Sequence, residues 1–454
     1  MSGATIAAIS TPPGVGGIGV VRVSGPDALA VAARVFRPQN GISVTGMSGY
    51  TCVFGRVYGT DGDLDDAVLT VFRAPKSYTG EDTAELSCHG GGFLPRQTLR
   101  LCLDAGAVPA EPGEFTKRAF LNGKLDLAQA EAVADLIGAQ NRGAARAALC
   151  ARDGSVSKAV DEIADVLLAQ SSQLAAWADF PEEDIDPPDI PAMREALQAA
   201  AAKADRLLAT YDAGKILREG VLTAIIGRPN VGKSTLMNLL AGEERSIVTD
   251  VPGTTRDVVE ESVLLGGIVL RLCDTAGIRE TADPVESIGV NRAKALVDAA
   301  DLVLAVFDAA EPLSREDVRL LSLAEGKAAI ALLNKSDRAE LLDASVIRGK
   351  IPRTLKISAK TGEGKNELAA AVTDILGVDS IPPDTAILQS ERQRQCLISA
   401  RESILDGVGA LDSEMLDAAN VCVDHALDAL LSLTGKRASE SVVGEVFRRF
   451  CVGK

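Results

Sequence analysis

The run GRPNVGKS, Gly227 to Ser234, carries residue types and spacing that suit a bound phosphate chain. Gly227 and Gly232 let the backbone turn tightly, so that successive N–H groups face phosphate oxygens. The expected contacts run from Asn230 through Val231, Gly232, Lys233 and Ser234 to Thr235. Lys233 can set an ammonium against the outer phosphates, and Ser234 can give an oxygen ligand to Mg²⁺. An apolar VLTAII precedes the loop and a helix-like STLMNLLAG follows it, so a helix N-terminus would add its positive end.

Three strings downstream turn a phosphate site into a guanine site. DTAG (Asp274, Thr275, Ala276, Gly277) ends an apolar run with a carboxylate for the metal shell and a glycine N–H for the γ-phosphate. NKSD (Asn334, Lys335, Ser336, Asp337) supplies a carboxylate that can accept from both N–H groups on one edge of guanine. SAK (Ser358, Ala359, Lys360) can add a backbone N–H for the guanine carbonyl. Any one string is common, but the ordered set predicts GTP in preference to ATP.

Between the phosphate loop and DTAG lies TDVPGTTRD, where a switch segment belongs. Thr249, Asp250, Val251, Pro252, Gly253, Thr254 and Thr255 are expected near nucleotide, with Thr255 the second hydroxyl on Mg²⁺. Ile278 follows DTAG where Ras-like proteins carry a water-orienting Gln. Glu280, Asp283 or Glu286 could position water instead. Arg256, Arg279 or a monovalent cation could neutralise charge, and spacing does not choose among them.

The elements around these motifs fall into three textures. IGVVRVSG, DAVLTVFRAP and DTAELSCHGG read as strands of an α/β or mostly β start. From Leu125 to about Tyr211, apolar residues recur at helical spacing, interrupted by the acidic, proline-bearing DFPEEDIDPPDIP. From Val221, short apolar strands alternate with helix-like segments, which predicts a parallel sheet. After DSIPPDTA the helical texture returns, so one domain is expected to be inserted into another.

The 454 residues exceed what one core normally holds, and 46% hydrophobic with 24% charged residues is ordinary for folded chains. A net charge of −16 argues against a general nucleic-acid surface, and no DNA partner is expected; a local patch for a specific RNA is compatible with it. Eight cysteines without paired ligand spacing, and only two histidines, argue against zinc. The lone Trp177 is expected in a core. With no export-like start and no long apolar run, a cytoplasmic protein with reduced thiols and no membrane association is expected.

Taken together, TPPGVGGIGVVRVSG, SYTGEDTAELSCHGG, EPGEFTKRAFLNGKLDLAQAEAVADLI, the GTPase set and the terminal CVGK resemble the MnmE (TrmE) family of tRNA-modification GTPases. The resemblance spans the whole chain, and a generic G protein would share only the GTPase set. It implies a multidomain α/β plus all-α architecture: an N-terminal α/β tetrahydrofolate-binding and dimerisation domain over 1–119, a discontinuous helical domain over 120–215 and 380–454, and an inserted Ras-like P-loop GTPase domain over 216–379. The family's folate-contacting positions fall on Arg22, Glu85, Lys124 and Lys454. Its potassium ligands fall on Asn230, Thr249, Val251 and Thr254, and its hydrolytic carboxylate on Glu286. The activity implied is modification at C5 of the wobble uridine (position 34), adding an aminomethyl or carboxymethylaminomethyl group. It requires a homodimer and a flavin partner, MnmG (GidA), which would hold the FAD. The contrasting reading is a GTP-dependent assembly or signalling switch, as in ribosome maturation, which would need neither a folate block nor a CxGK end.

That end raises its own question. Cys451 alone reads as a small apolar residue anchoring a terminal helix. The resemblance makes it a candidate catalytic residue in tRNA modification, near the one-carbon donor if the tail returns to the folate pocket.

Overall fold

The computed structural model describes residues 3–179, 187–242, 261–274, 294–377, 382, 385–448 and 450–453, with the side chains of 178, 179 and 274 outside the description. Its contacts divide it into two compact units, Met1–Ala134 with Ser157–Ala204 and Gln395–Lys454, and Asp135–Val156 with Asp205–Arg394.

The first unit holds a seven-stranded sheet: β1 (Ile6–Ile9), β2 (Ile18–Ser24), β3 (Phe36–Pro38), β4 (Thr51–Gly59), β5 (Gly62–Phe72), β6 (Thr83–His89) and β7 (Val108–Pro109). Their spatial order is β3-β4-β5-β6-β2-β1-β7, antiparallel except for β1 with β7. Side chains alternate between faces with period two. Val21, Val23, Leu69, Val71, Ala84 and Leu86 therefore share one face and form a core with apolar residues of the helices Ala28–Val35 and Leu94–Asp104. The opposite face carries Arg22 and Glu85, neighbours across the β2–β6 ladder.

Helices Leu127–Gly138, Ser155–Asp179, Ile190–Leu208, Glu391–Asp412, Leu416–Thr434 and Glu440–Arg448 follow the alanine- and leucine-rich texture read from the sequence. Within the first unit, Val443, Val446, Phe447 and Phe450 pack with Leu127, Ala130 and Val133, so the end of the chain is tied to its first third. Trp177 corrects an expectation. It is 39% exposed, although Leu174, one turn earlier on the same helix, is buried.

The second unit holds a six-stranded sheet of β8 (Val221–Ile226), β9 (Glu261–Leu265), β10 (Ile268–Asp274), β11 (Leu302–Asp308), β12 (Ala329–Asn334) and β13 (Thr354–Ile357), ordered β13-β12-β11-β8-β10-β9. All residues of β11 and β12 are buried, as expected for strands covered on both faces. The five strands read from the sequence, β8, β10, β11, β12 and β13, pair parallel as expected, and β9, outside that set, adds an antiparallel edge on β10. Gly266 and Gly267 connect β9 to β10 with φ of 58° and 79°, the positive values that a tight two-residue hairpin demands.

Candidate functional site

The phosphate loop leaves β8 at its C-terminal end and enters the helix Lys233–Ala241. A side chain at Gly227 would strike the carbonyl of Val306, and one at Gly232 (φ 102°) would strike the amide of Asn334. Both glycines are therefore required by close approach. The Lys233 ammonium donates to the carbonyls of Gly227 (2.7 Å) and Arg228 (3.0 Å), folding over its own loop. Ser234 and Thr235 are exposed on the first helical turn.

Asn334 joins two of the predicted motifs. Buried at 3% exposure, it donates from Nδ2 to the Val231 carbonyl at 2.7 Å and accepts at Oδ1 from the Ala359 N–H at 2.9 Å. Lys335 has a left-handed φ of 67°, and its Nζ donates to the Asn230 carbonyl at 3.0 Å and to Asp308 Oδ2 at 2.5 Å. Asp337 accepts at Oδ1 from Ser358 Oγ at 2.8 Å, and that bond holds its carboxyl below the ordinary aspartate value. The Ser336 N–H donates to the Ile357 carbonyl at 3.2 Å, while Lys360 is exposed. NKSD, SAK and the phosphate loop thus meet at one end of the sheet, with the Asn334 and Lys335 side chains bonding to main chain of the other two segments and Asp337 bonding to Ser358.

Sequence reading missed Asp308, Glu311 and Asp317. Arg228 of the loop pairs with Glu311, and its Nε lies 3.4 Å from Asp317 Oδ2. The available signal was an aspartate ending an apolar strand, followed by three further acids, Glu311, Glu316 and Asp317, in DAAEPLSRED. Asp274 is described only in its backbone, at the end of β10. Thr249, Asp250, Val251, Pro252, Gly253, Thr254, Thr255, Thr275, Ala276, Gly277 and Glu286 lie outside the described residues.

A second constellation lies on the sheet of the first unit. Arg22 Nε and Glu85 Oε1 are 2.8 Å apart, with side chains 15% and 24% exposed. The guanidinium carbon sits 5.5 Å from the Phe115 ring centre and 5.8 Å from that of Tyr78. Burial pushes the Tyr78 phenol up, while its hydroxyl shares a 2.9 Å hydrogen bond with Thr116 Oγ1. Alongside, Ser24 Oγ meets Thr79 Oγ1 and donates to Glu81 Oε2, each at 2.8 Å, and Arg118 pairs with Glu81 and Glu114. SYTGEDT is consequently a polar, hydrogen-bonded loop packed beside a partly accessible ion pair.

The other expected folate positions are placed differently. Lys124 is exposed, donates to the Pro75 carbonyl at 3.1 Å, and borders a groove of about 920 Å³ with Lys117 and Lys436. Lys454 lies outside the described residues, but the preceding Gly453 is fixed: Ser10 Oγ donates to its carbonyl at 3.0 Å, and a side chain there would strike the Ile9 carbonyl. The carbonyl of Cys451 accepts from the Gly113 N–H at 3.3 Å. Cys451 itself is exposed and lines a cleft of about 780 Å³ with the Pro12–Gly16 loop, Gly91, Gly92 and Arg96. Arg22, Glu85 and Lys124 are not among that cleft's walls.

A mostly parallel sheet carrying a phosphate loop, with guanine-type NKSD and SAK segments at the same end, defines a P-loop GTPase. Residues 5–124 match the family described as GTP-binding protein TrmE N-terminus, and residues 127–451 match the MnmE helical domain. Curated relatives called tRNA modification GTPase MnmE are similar over nearly their whole length. That of Natranaerobius thermophilus is 41% identical over 457 residues, and that of Symbiobacterium thermophilum 44% over 461, each alignment covering 99% of both chains. The Moorella thermoacetica protein is 42% identical over 464 residues with the same coverage. The chain belongs to the MnmE family of tRNA-modification GTPases. It is a GTP hydrolase acting in tRNA modification, with a TrmE-type N-terminal domain, a helical domain and a P-loop GTPase fold.

Proposed function

We propose that this protein is the potassium-activated, GTP-hydrolysing member of a complex that modifies C5 of the wobble uridine of certain tRNAs. It would work with an FAD-dependent MnmG (GidA) partner and a tetrahydrofolate one-carbon donor. The observation that carries this reading is the presence, in a chain aligned end to end with MnmE relatives, of a partly accessible Arg22–Glu85 pair beside a hydrogen-bonded polar loop. Glu85 engages Arg22 through Oε1, which leaves Oε2 for the amidine-like edge of a pterin, and Tyr78 and Phe115 offer ring faces nearby. Lys124 and Lys454 would meet the glutamate tail.

In the nucleotide site, residues 230–235 would cradle the phosphates, Asp337 the guanine edge, and Asn334, Lys335, Ser336, Ser358, Ala359 and Lys360 the surrounding wall. The exposed hydroxyl of Ser234 suits a hard cation, and with Thr255 it would hold Mg²⁺. Asn230, exposed in a left-handed conformation, suits K⁺ coordination with Thr249, Val251 and Thr254. Bound there, K⁺ would supply the positive charge that an arginine finger supplies elsewhere. Glu286 is assigned to the attacking water.

The domain division proposed is 1–119, 120–215 with 380–454, and 216–379. A homodimer is supported by the open face of the first sheet, where Phe54 faces Val68 across β4 and β5, and Ile18 is 68% exposed. No helix among the described residues is long and apolar enough to cross a membrane, and a cytoplasmic location is proposed.

Two measurements test the reading. Purified chain is expected to bind a reduced folate; no binding would favour a GTP-dependent assembly switch instead. Hydrolysis is expected to rise sharply in K⁺ over Na⁺, and equal rates would remove the potassium assignment.

A further inference from the structure

Asp308 closes β11 directly beside Asn334 in the parallel register with β12. Its side chain is 4% exposed, yet both carboxylate oxygens are engaged. Oδ1 accepts from the Ala310 N–H at 3.0 Å, and Oδ2 accepts from the Lys335 ammonium at 2.5 Å. That ammonium also reaches the Asn230 carbonyl at 3.0 Å. Burial pushes the Asp308 carboxyl up, but the bonds from Lys335 and Ala310, with the charges of Lys335 and Arg228, outweigh it and hold the group below its ordinary value. It stays a carboxylate.

The bridge joins two residues in a backbone region that side chains seldom adopt, Asn230 at φ 65° and Lys335 at φ 67°. A lysine ammonium is strongly hydrated and its stem flexible, so one fixed at a lone carbonyl needs a compensating charge. Asp308 supplies it from a strand end, where the sheet holds its backbone. Arg228, two residues before Asn230, is paired with the more exposed Glu311 and lies within ion-pair distance of Asp317.

We propose that Asp308 is a positioning residue for nucleotide binding. Its carboxylate holds Lys335 against the Asn230 carbonyl and so fixes the phosphate loop and the NKSD segment in one arrangement before nucleotide arrives. The proposal rests on assigning those two segments to the GTP site. Because the bridge lies wholly within the chain, its loss weakens GTP and GDP alike and raises KM more than it lowers kcat.

The test is a double-mutant cycle on the full chain with D308N, K335A and both, reading affinities for GTP and GDP by calorimetry alongside kcat and KM. D308N is expected to weaken both nucleotides about tenfold, the scale of one charge-assisted hydrogen bond. Its kcat is expected within about twofold of the parent. In the K335A background the D308N change is expected to add nothing. D308E, which keeps the charge, is expected to bind more tightly than D308N. Unchanged affinity in D308N, additive losses, equal affinities of D308N and D308E, or a D308N chain that no longer folds would each overturn the proposal. Parent-like binding by K335A would instead overturn the nucleotide-site assignment beneath it.

Discussion

The two sheets build their candidate sites in opposite ways. In the second unit, phosphate loop, NKSD and SAK residues gather beyond strand ends, and Asn334 alone ties Val231 to Ala359. In the first, Arg22 and Glu85 project from strand interiors and meet only because β2 and β6 pair in one register. A strand-end site is assembled from contiguous strings whose backbone does much of the binding. A sheet-face site is assembled from residues 63 positions apart whose side chains do nearly all of it.

Substitutions should separate the two. The largest effect is expected from Asp337→Asn, which removes the carboxylate able to accept from both guanine N–H groups: GTP affinity should fall roughly a hundredfold, with preference moving toward xanthine nucleotide. Reduced-folate binding should be untouched, which calorimetry with both ligands would check. Asn334→Ala should come next. It leaves the Val231 carbonyl and Ala359 N–H without their partner, at a cost of about 2 kcal/mol in denaturant unfolding of the second unit.

Glu85→Gln should weaken reduced-folate binding about tenfold while leaving GTP turnover at the parental rate. Loss of GTPase activity in that variant would mean that the two regions do not act as separate sites. The smallest effect concerns His89, whose ring hydrogen-bonds Asp65 at 2.7 Å; that bond, with the aspartate's charge, raises its pKa above 6.5. The group titrates higher when folded, so the contribution is fully present below the unfolded value and is lost as pH rises through the folded one. Titration of the His89 ring by NMR should give a value above that of Asp65→Asn.

The same contrast explains what the sequence disclosed. NKSD and SAK were legible because guanine recognition needs neighbouring residues in fixed order, and the loop's glycines because close approach admits nothing else. Asp308 was not legible, since its partnership with Lys335 depends on the parallel register of β11 with β12. Arg22 and Glu85 were singled out by family resemblance alone; taken singly, each looked like an ordinary surface charge. The antiparallel β9 could have been foreseen from Gly266–Gly267, a turn signal flanked by apolar runs. Trp177 shows the limit of composition, because a large apolar side chain on a long helix need not face its core.

Cys451 stands between the two modes, anchored through its backbone by Gly113 but with its side chain on an open cleft. Cys451→Ser with normal GTP hydrolysis and no modified uridine would assign the thiol to the modification chemistry. Full modification would reduce it to packing.

The most direct measurement is reconstitution of the full chain with an MnmG-type partner, GTP, K⁺, a reduced folate and tRNA, followed by nucleoside analysis. The expected result is a C5-substituted wobble uridine that disappears when GTP or this chain is omitted. The same modified nucleoside formed at the same yield without this chain would contradict the account.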